Sequence, residues 1–303
     1  MAESMGFRKV KELARMKIGF IGTGVMGTGI ISNLLAAGNE LTIYNRTKSK
    51  AQGLLDQGAK WANTPADATL NNDVVFTMVG YPKDVEEVYF GDQGIFSVAS
   101  KNQLVVDMTT STPSLALKIG QFAEKNGLLA LDAPVSGGDV GAKNATLTVM
   151  IGGNKTAFDK LVPIFNQIGQ RVNYFGSYGA GQHTKMANQI MIAGTMTGLT
   201  EMLVYAKKAK LDLPTVLETL NSGGAANWSM ANYVPRILKE DYTPGFFTKH
   251  FLKDLRIALD EADKMGLDLP ATKQAKQLYE KLVDERGLGD DGTQALVKLW
   301  WDN

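Results

Sequence analysis

The stretch Lys17 to Leu35, KIGFIGTGVMGTGIISNLL, constrains this chain more than any other. An apolar run, Ile18 to Ile21, reads as a strand and enters Gly22-Thr23-Gly24-Val25-Met26-Gly27; a helical pattern then continues through Leu35. That is G-x-G-x-x-G after a strand and before a helix, the setting in which it binds a dinucleotide. Gly22 permits the tight turn, Gly24 lets the backbone approach a pyrophosphate, and Gly27 lets the helix pack closely on its strand. Unpaired N–H groups at the helix start would face the phosphates.

The alternation continues downstream. Strands are expected at Glu40–Tyr44, Asp73–Val79, Leu104–Asp107, Leu128–Asp132, Thr146–Ile151 and Arg171–Tyr174. Helices are expected between them at Thr47–Gln57, Lys83–Tyr89, Pro113–Lys125 and Lys155–Ile168. This order predicts an α/β domain built on a doubly wound, mostly parallel sheet. Near Gly179 the strand pattern stops. One long helix over Gly181–Ala209 is followed by helical stretches at Pro214–Asn221, Ala231–Lys239, Thr248–Met265, Pro270–Arg286 and Gly292–Trp301. The expected organisation is therefore a disordered extension over 1–15, a Rossmann domain over 16–178 and an all-helical domain over 179–303. The long helix is apolar nearly all round (Met186, Ile190, Met191, Met196, Leu199), which predicts burial on more than one side, between domains and between subunits.

Composition removes whole classes of function. The 303 residues suggest about two domains, and a net charge of +1 offers no basic surface for nucleic acid or an anionic membrane. No cysteine is present, so disulfides, thiolate metal sites and cysteine nucleophiles are out. With only His183 and His250, a histidine-rich metal centre is not expected either. The apolar segment from Ile190 is interrupted by Gly194, Gly198 and Glu201, unlike a membrane span. These features fit a cytoplasmic enzyme acting on a small molecule.

Four clusters can carry chemistry. An NAD site places a carboxylate at the end of the second strand, about 20 residues past the glycines. Here Asn45 stands there, followed by Arg46, Thr47 and Lys50, with no local acid to repel a 2′-phosphate. Arg46 could grip that phosphate or stack on adenine, with Thr47 and Lys50 assisting, so NADP is expected, with NAD second. The second cluster, Asp132-Ala133-Pro134-Val135-Ser136-Gly137-Gly138-Asp139, follows a strand at the sheet's carboxyl edge. Ser136 offers a hydroxyl and Gly137-Gly138 offer backbone N–H groups to a small anion, although a plain glycine turn would read the same.

The third cluster runs from Gly179 to Gln189. Lys185 and Asn188, three apart, share a helix face. A lysine among apolar neighbours loses solvation, which brings its pKa toward the working range of an acid or base. A lysine that merely snorkels to the surface would have the same local sequence, and His183 reads as structural. The fourth cluster is Lys253-Asp254, which spacing alone leaves as solvated charge on a helix.

Together and in this order, the four motifs resemble the β-hydroxyacid dehydrogenases, the family of 3-hydroxyisobutyrate dehydrogenase and tartronate semialdehyde reductase. GFIGTGVMG at Gly19–Gly27 is similar to the family's cofactor loop and DAPVSGG at Asp132–Gly138 to its substrate loop. GAGQHTKMANQ at Gly179–Gln189 is similar to its catalytic helix, and Lys253-Asp254 to its late cofactor and substrate contact. The resemblance implies Lys185 as catalytic acid/base, Ser136, Gly137, Gly138 and Asn188 as carboxylate binders, and Asp254 near the substrate. It also implies that Val79, Thr110 and Lys253 lie by the nicotinamide, and that the helical domain forms a homodimer or homotetramer. Two departures stand out: Asn144-Ala145-Thr146 where the family usually has a glycine, and Gln189 where a second asparagine is common. An imine reductase or a non-catalytic dinucleotide-binding protein is the alternative, and Lys185 argues against both.

Overall fold

Short apolar runs bounded by polar turns form the strands of a single sheet. The structure, a computed structural model, describes residues 15–301. Residues 1–14, most of the expected extension, lie outside the described residues. The strands are β1 (Lys17–Ile21), β2 (Glu40–Tyr44), β3 (Lys60–Trp61), β4 (Val74–Thr77), β5 (Leu104–Asp107), β6 (Leu129–Asp132), β7 (Val135–Ser136), β8 (Leu147–Gly153) and β9 (Gly169–Gly176). Their spatial order is β3-β2-β1-β4-β5-β6-β8-β7, with β9 beside β8. Pairing is parallel from β3 through β6, with β1 at the centre of the reversal between β2 and β4. This is the doubly wound order whose crevice opens at the carboxyl ends of the strands on either side of the reversal. β8 runs antiparallel to β6 and β7, so the sheet is mostly rather than wholly parallel.

β4 and β5 are buried at every position, as strands covered on both faces must be. One face carries Phe20, Ile30, Leu34, Phe76, Val106 and Phe165; the other carries Val75, Val85, Tyr89, Val105 and Ile119. A helical domain follows. Its axis is the helix Ala180–Lys208, whose buried face presents Met196, Leu199 and Leu203 to Met230, Val234 and Ile237. Ala193 of the same helix packs with Phe251, Leu255 and Tyr279. The expected burial on several sides is only partly met in the single chain. Met191 is 68% exposed and Tyr205 is 75% exposed.

The two domains are pinned where the long helix begins. Asp132, at the end of β6, accepts the backbone N–H of Gly179 through Oδ1 (2.9 Å) and of Gln182 through Oδ2 (2.8 Å). Close packing needs glycine here. A methyl on Gly152 would lie 2.6 Å from the Gly181 nitrogen, and one on Gly181 would lie 2.5 Å from the carbonyl oxygens of Asp132 and Met150. Among the described residues no helix is long and apolar enough to cross a membrane.

Candidate active site

The glycine loop has three glycines with three different reasons. Gly22 sits at φ +105°, where a side chain is strained, and an added Cβ would be 2.1 Å from the Met78 carbonyl oxygen. A Cβ on Gly27 would be 2.1 Å from the Gly22 carbonyl oxygen. At Gly24 an added Cβ would meet nothing within 4 Å. No protein atom demands glycine there, and the open space leaves room for a ligand to lie against the backbone. Gly24 also begins the helix Val25–Ala36, and no side chain caps that start. Free N–H groups beside open space suit the pyrophosphate of a dinucleotide, so the residues present fit such a cofactor. The Thr23 hydroxyl is buried and has no partner among the described residues.

Asn45 joins two backbone segments. Its Oδ1 accepts the Thr23 N–H at 3.3 Å and its Nδ2 donates to the Thr47 carbonyl at 2.9 Å. It ties the glycine loop to the turn after β2. The expectation that no acid stands near Arg46 is corrected. Asp84, 38 residues on in the helix Pro82–Phe90, puts Oδ1 3.2 Å from Arg46 Nη1. Thr47 and Lys50 are exposed.

Lys185, Lys253 and Asp254 gather at the domain junction. Lys185 is only 6% exposed, and burial lowers its pKa to about 8; Asp254 opposes that shift and Lys253 adds to it. Lys253 and Asp254 are not solvated charge. Their side chains are 11% and 2% exposed, and Lys253 Nζ lies 3.1 Å from Asp254 Oδ1. Lys253 Nζ also donates to the Thr110 carbonyl at 2.6 Å, crossing from the helical domain to the Rossmann domain. Gln189 Nε2 donates to Asp254 Oδ2 at 2.7 Å and its Oε1 accepts from Asn188 Nδ2 at 2.7 Å. The extra methylene of glutamine, relative to asparagine, reaches the helix carrying Asp254. His183 is exposed.

Residues that the sequence reading passed over hold this end together. Gln182 is fully buried, donates to the Thr109 carbonyl (2.7 Å) and accepts the Ser111 N–H (3.0 Å), fixing the loop that contains Thr110. Thr109 Oγ1 accepts the Val79 N–H at 3.0 Å, so the loops after β4 and β5 are linked. Asp107 accepts the Thr109 N–H, and burial raises its pKa to about 7. Asp107 ends an apolar run, but Gln182 stands between Gly181 and His183-Thr184-Lys185, so its neighbours gave no advance signal of its part in this frame. Ser136, Gly137 and Gly138 follow Asp132, the residue that holds the start of the long helix. Gly137 and Gly138 take φ values of +129° and +63°, and a Cβ on Gly138 would stand 3.1 Å from the carbonyl oxygen of Gly245 in the helical domain. The loop after β7 therefore faces the second domain. At the departure Asn144-Ala145-Thr146, Ala145 adopts φ +56°, a left-handed conformation that glycine takes without strain. Among the described residues no group of acidic or histidine side chains is arranged for a metal.

Comparison with known proteins agrees with this architecture. Residues 17–176 match the model of the NAD binding domain of 6-phosphogluconate dehydrogenase. Residues 179–300 match that of the NAD-binding domain of NADP-dependent 3-hydroxyisobutyrate dehydrogenase. An uncharacterized oxidoreductase of Bacillus subtilis is 50% identical over 283 residues, 93% of this chain and 98% of that protein. The 2-hydroxy-3-oxopropionate reductase of Escherichia coli is 36% identical over 272 residues, 90% of this chain and 93% of that one. Among solved structures, a 3-hydroxyisobutyrate dehydrogenase of Mycobacterium tuberculosis with L-serine superposes with a TM-score of 0.87 at 27% identity, covering 94% and 99% of the two chains.

Proposed function

The chain belongs to the β-hydroxyacid dehydrogenase family, and from that premise we propose that it moves hydride between NADP(H) and a small β-hydroxyacid or its semialdehyde, with Lys185 as general acid/base. The observation that carries this reading is a buried lysine with a pKa near 8 at a domain junction, beside the Lys253–Asp254 pair. The bound nicotinamide would supply or accept the hydride. In reduction, Lys185 as an ammonium donates a proton from Nζ to the carbonyl oxygen. In oxidation, neutral Lys185 removes the hydroxyl proton. Such help contributes about 10²–10⁴-fold.

Ser136 and the N–H groups of Gly137 and Gly138 bind the substrate carboxylate, with Asn188 beside them on the face of Lys185. Lys253, through the Thr110 carbonyl, holds the loop on the nicotinamide side and closes the junction against water. Arg46 takes the 2′-phosphate, with Thr47 and Lys50 at its edge. The exposed Met191 and Tyr205 make the outer face of the long helix the proposed contact between subunits.

A panel of semialdehydes and β-hydroxyacids, each assayed with NADPH/NADP+ and NADH/NAD+, tests the assignment. Turnover is expected for a carboxylate-bearing compound and to fall steeply when a methyl group replaces its carboxylate. Equal rates for both compounds would refute carboxylate recognition.

A further inference from the structure

The ion pair Arg46–Asp84 joins segments that leave the sheet on either side of β1. Arg46 lies in the turn after β2, and Asp84 lies in the helix after β4. β1, which feeds the glycine loop, stands between those two strands. Neighbouring strands are about 4.8 Å apart, so β2 and β4 stand roughly 10 Å from each other, and the two side chains meet across the sheet edge where the dinucleotide crevice opens. The two partners are unequal. Asp84 is 15% exposed at its side chain, and its Oδ2 accepts the Tyr81 N–H at 3.1 Å, capping the start of its own helix. Arg46 is 80% exposed at its side chain, and Nη1 makes the contact to Asp84.

We propose that Asp84 is a specificity-determining residue that holds down the affinity for the 2′-phosphate of NADP(H). The inference rests on the reading that Arg46 receives that phosphate. The carboxylate is tied to the backbone, so when the phosphate arrives the guanidinium must shift or be shared while the negative charge stays. A 2′-phosphate carries close to two negative charges and is repelled by Asp84; the hydroxyl of NAD(H) is not. Asp84 thus supplies, from a distant part of the chain, part of the acidic character that an NAD-type site has at the end of its second strand. The preference for NADP(H) is narrower than the Asn45-Arg46-Thr47 sequence implies.

The test is the binding of NADP+ and NAD+ to the intact protein, measured by calorimetry without substrate. In Asp84→Asn the amide oxygen can still cap the Tyr81 N–H, and Asp84→Ser offers a hydroxyl oxygen for the same bond. Both variants are expected to bind NADP+ about three- to tenfold more tightly while NAD+ changes by less than about twofold, and the gain should shrink as salt is added. Circular dichroism melts identify a variant that has lost its fold, and the other variant then carries the test. Unchanged or weaker NADP+ binding in the folded variants overturns the proposal if Arg46→Ala still weakens NADP+ in the parent protein. If Arg46→Ala leaves NADP+ binding untouched, the assignment of the phosphate to Arg46 fails instead.

Discussion

Two ion pairs flank the crevice, alike in chemistry and opposite in setting. Arg46–Asp84 spans 3.2 Å with side chains 80% and 15% exposed, whereas Lys253–Asp254 spans 3.1 Å with side chains 11% and 2% exposed. Water and salt screen the first, and its exposed Arg46 can turn to another ligand at little cost while Asp84 stays tied to the Tyr81 N–H. The second has lost its solvation, so each charge depends on its neighbours, and burial of the nearby Lys185 itself brings its pKa down to about 8. An exposed pair suits discrimination between ligands, and a buried one suits proton transfer. The comparison predicts that damage at the two ends differs in kind.

The largest effect is expected at Lys185. Lys185→Ala should lower kcat by about 10²–10⁴-fold, while NADPH still changes the protein fluorescence on binding. Lys185→Arg should fail as well, because a guanidinium does not release its proton near neutral pH. Substantial turnover in the alanine variant would remove Lys185 from the mechanism.

Breaking the pairs themselves gives the next contrast. Lys253→Ala removes the ion-pair partner of the buried Asp254, leaving it the Gln189 hydrogen bond, and should cost about 3–5 kcal/mol in denaturant-unfolding stability. Arg46→Ala should cost about 0–1 kcal/mol by the same measurement. Similar losses from both variants would erase the distinction drawn between the two ends. A smaller effect concerns cofactor choice. The ratio of kcat/KM with NADPH to that with NADH should exceed one at low salt and decline as ionic strength rises. The smallest effect lies outside the crevice. Ala145→Gly relieves a left-handed alanine and should stabilise the fold by about 1 kcal/mol in denaturant melts.

Legibility followed the same division between local and long-range causes. β2 and β5 coincide with the runs Glu40–Tyr44 and Leu104–Asp107, and the helix Pro113–Lys125 begins at its proline, as periodicity and punctuation imply. β3 and β7 have two residues each, too few to create a pattern; they exist because a neighbouring strand pairs with them. The helix expected over Thr47–Gln57 resolves into a 3₁₀ turn, Lys48–Ala51, and one α turn, Gln52–Leu55. The helix expected to reach Arg286 passes into a π turn at Lys281–Glu285. Within the crevice, the glycine loop was readable because its three glycines keep the G-x-G-x-x-G spacing between a strand and a helix, although the atom that Gly22 packs against, the Met78 carbonyl oxygen, lies far along the chain. The burial of Lys253-Asp254 depends on packing between domains, and Asp84 approaches Arg46 from 38 residues away, so neither could be read from spacing. Asp132 and Gln182 belong to the same class: their importance lies in backbone groups they reach across the fold.

The central claim is that the buried end performs proton transfer through Lys185, and the pH dependence of kcat/KM for hydroxyacid oxidation tests it most directly. This quantity reports ionisations of the free enzyme. Oxidation needs the neutral amine, so kcat/KM should rise with pH and level off above about 8, where burial has brought the Lys185 pKa. Reduction needs the ammonium and should show the opposite sense, falling as pH passes through the same region. A profile for oxidation that stays flat across that region would contradict the account.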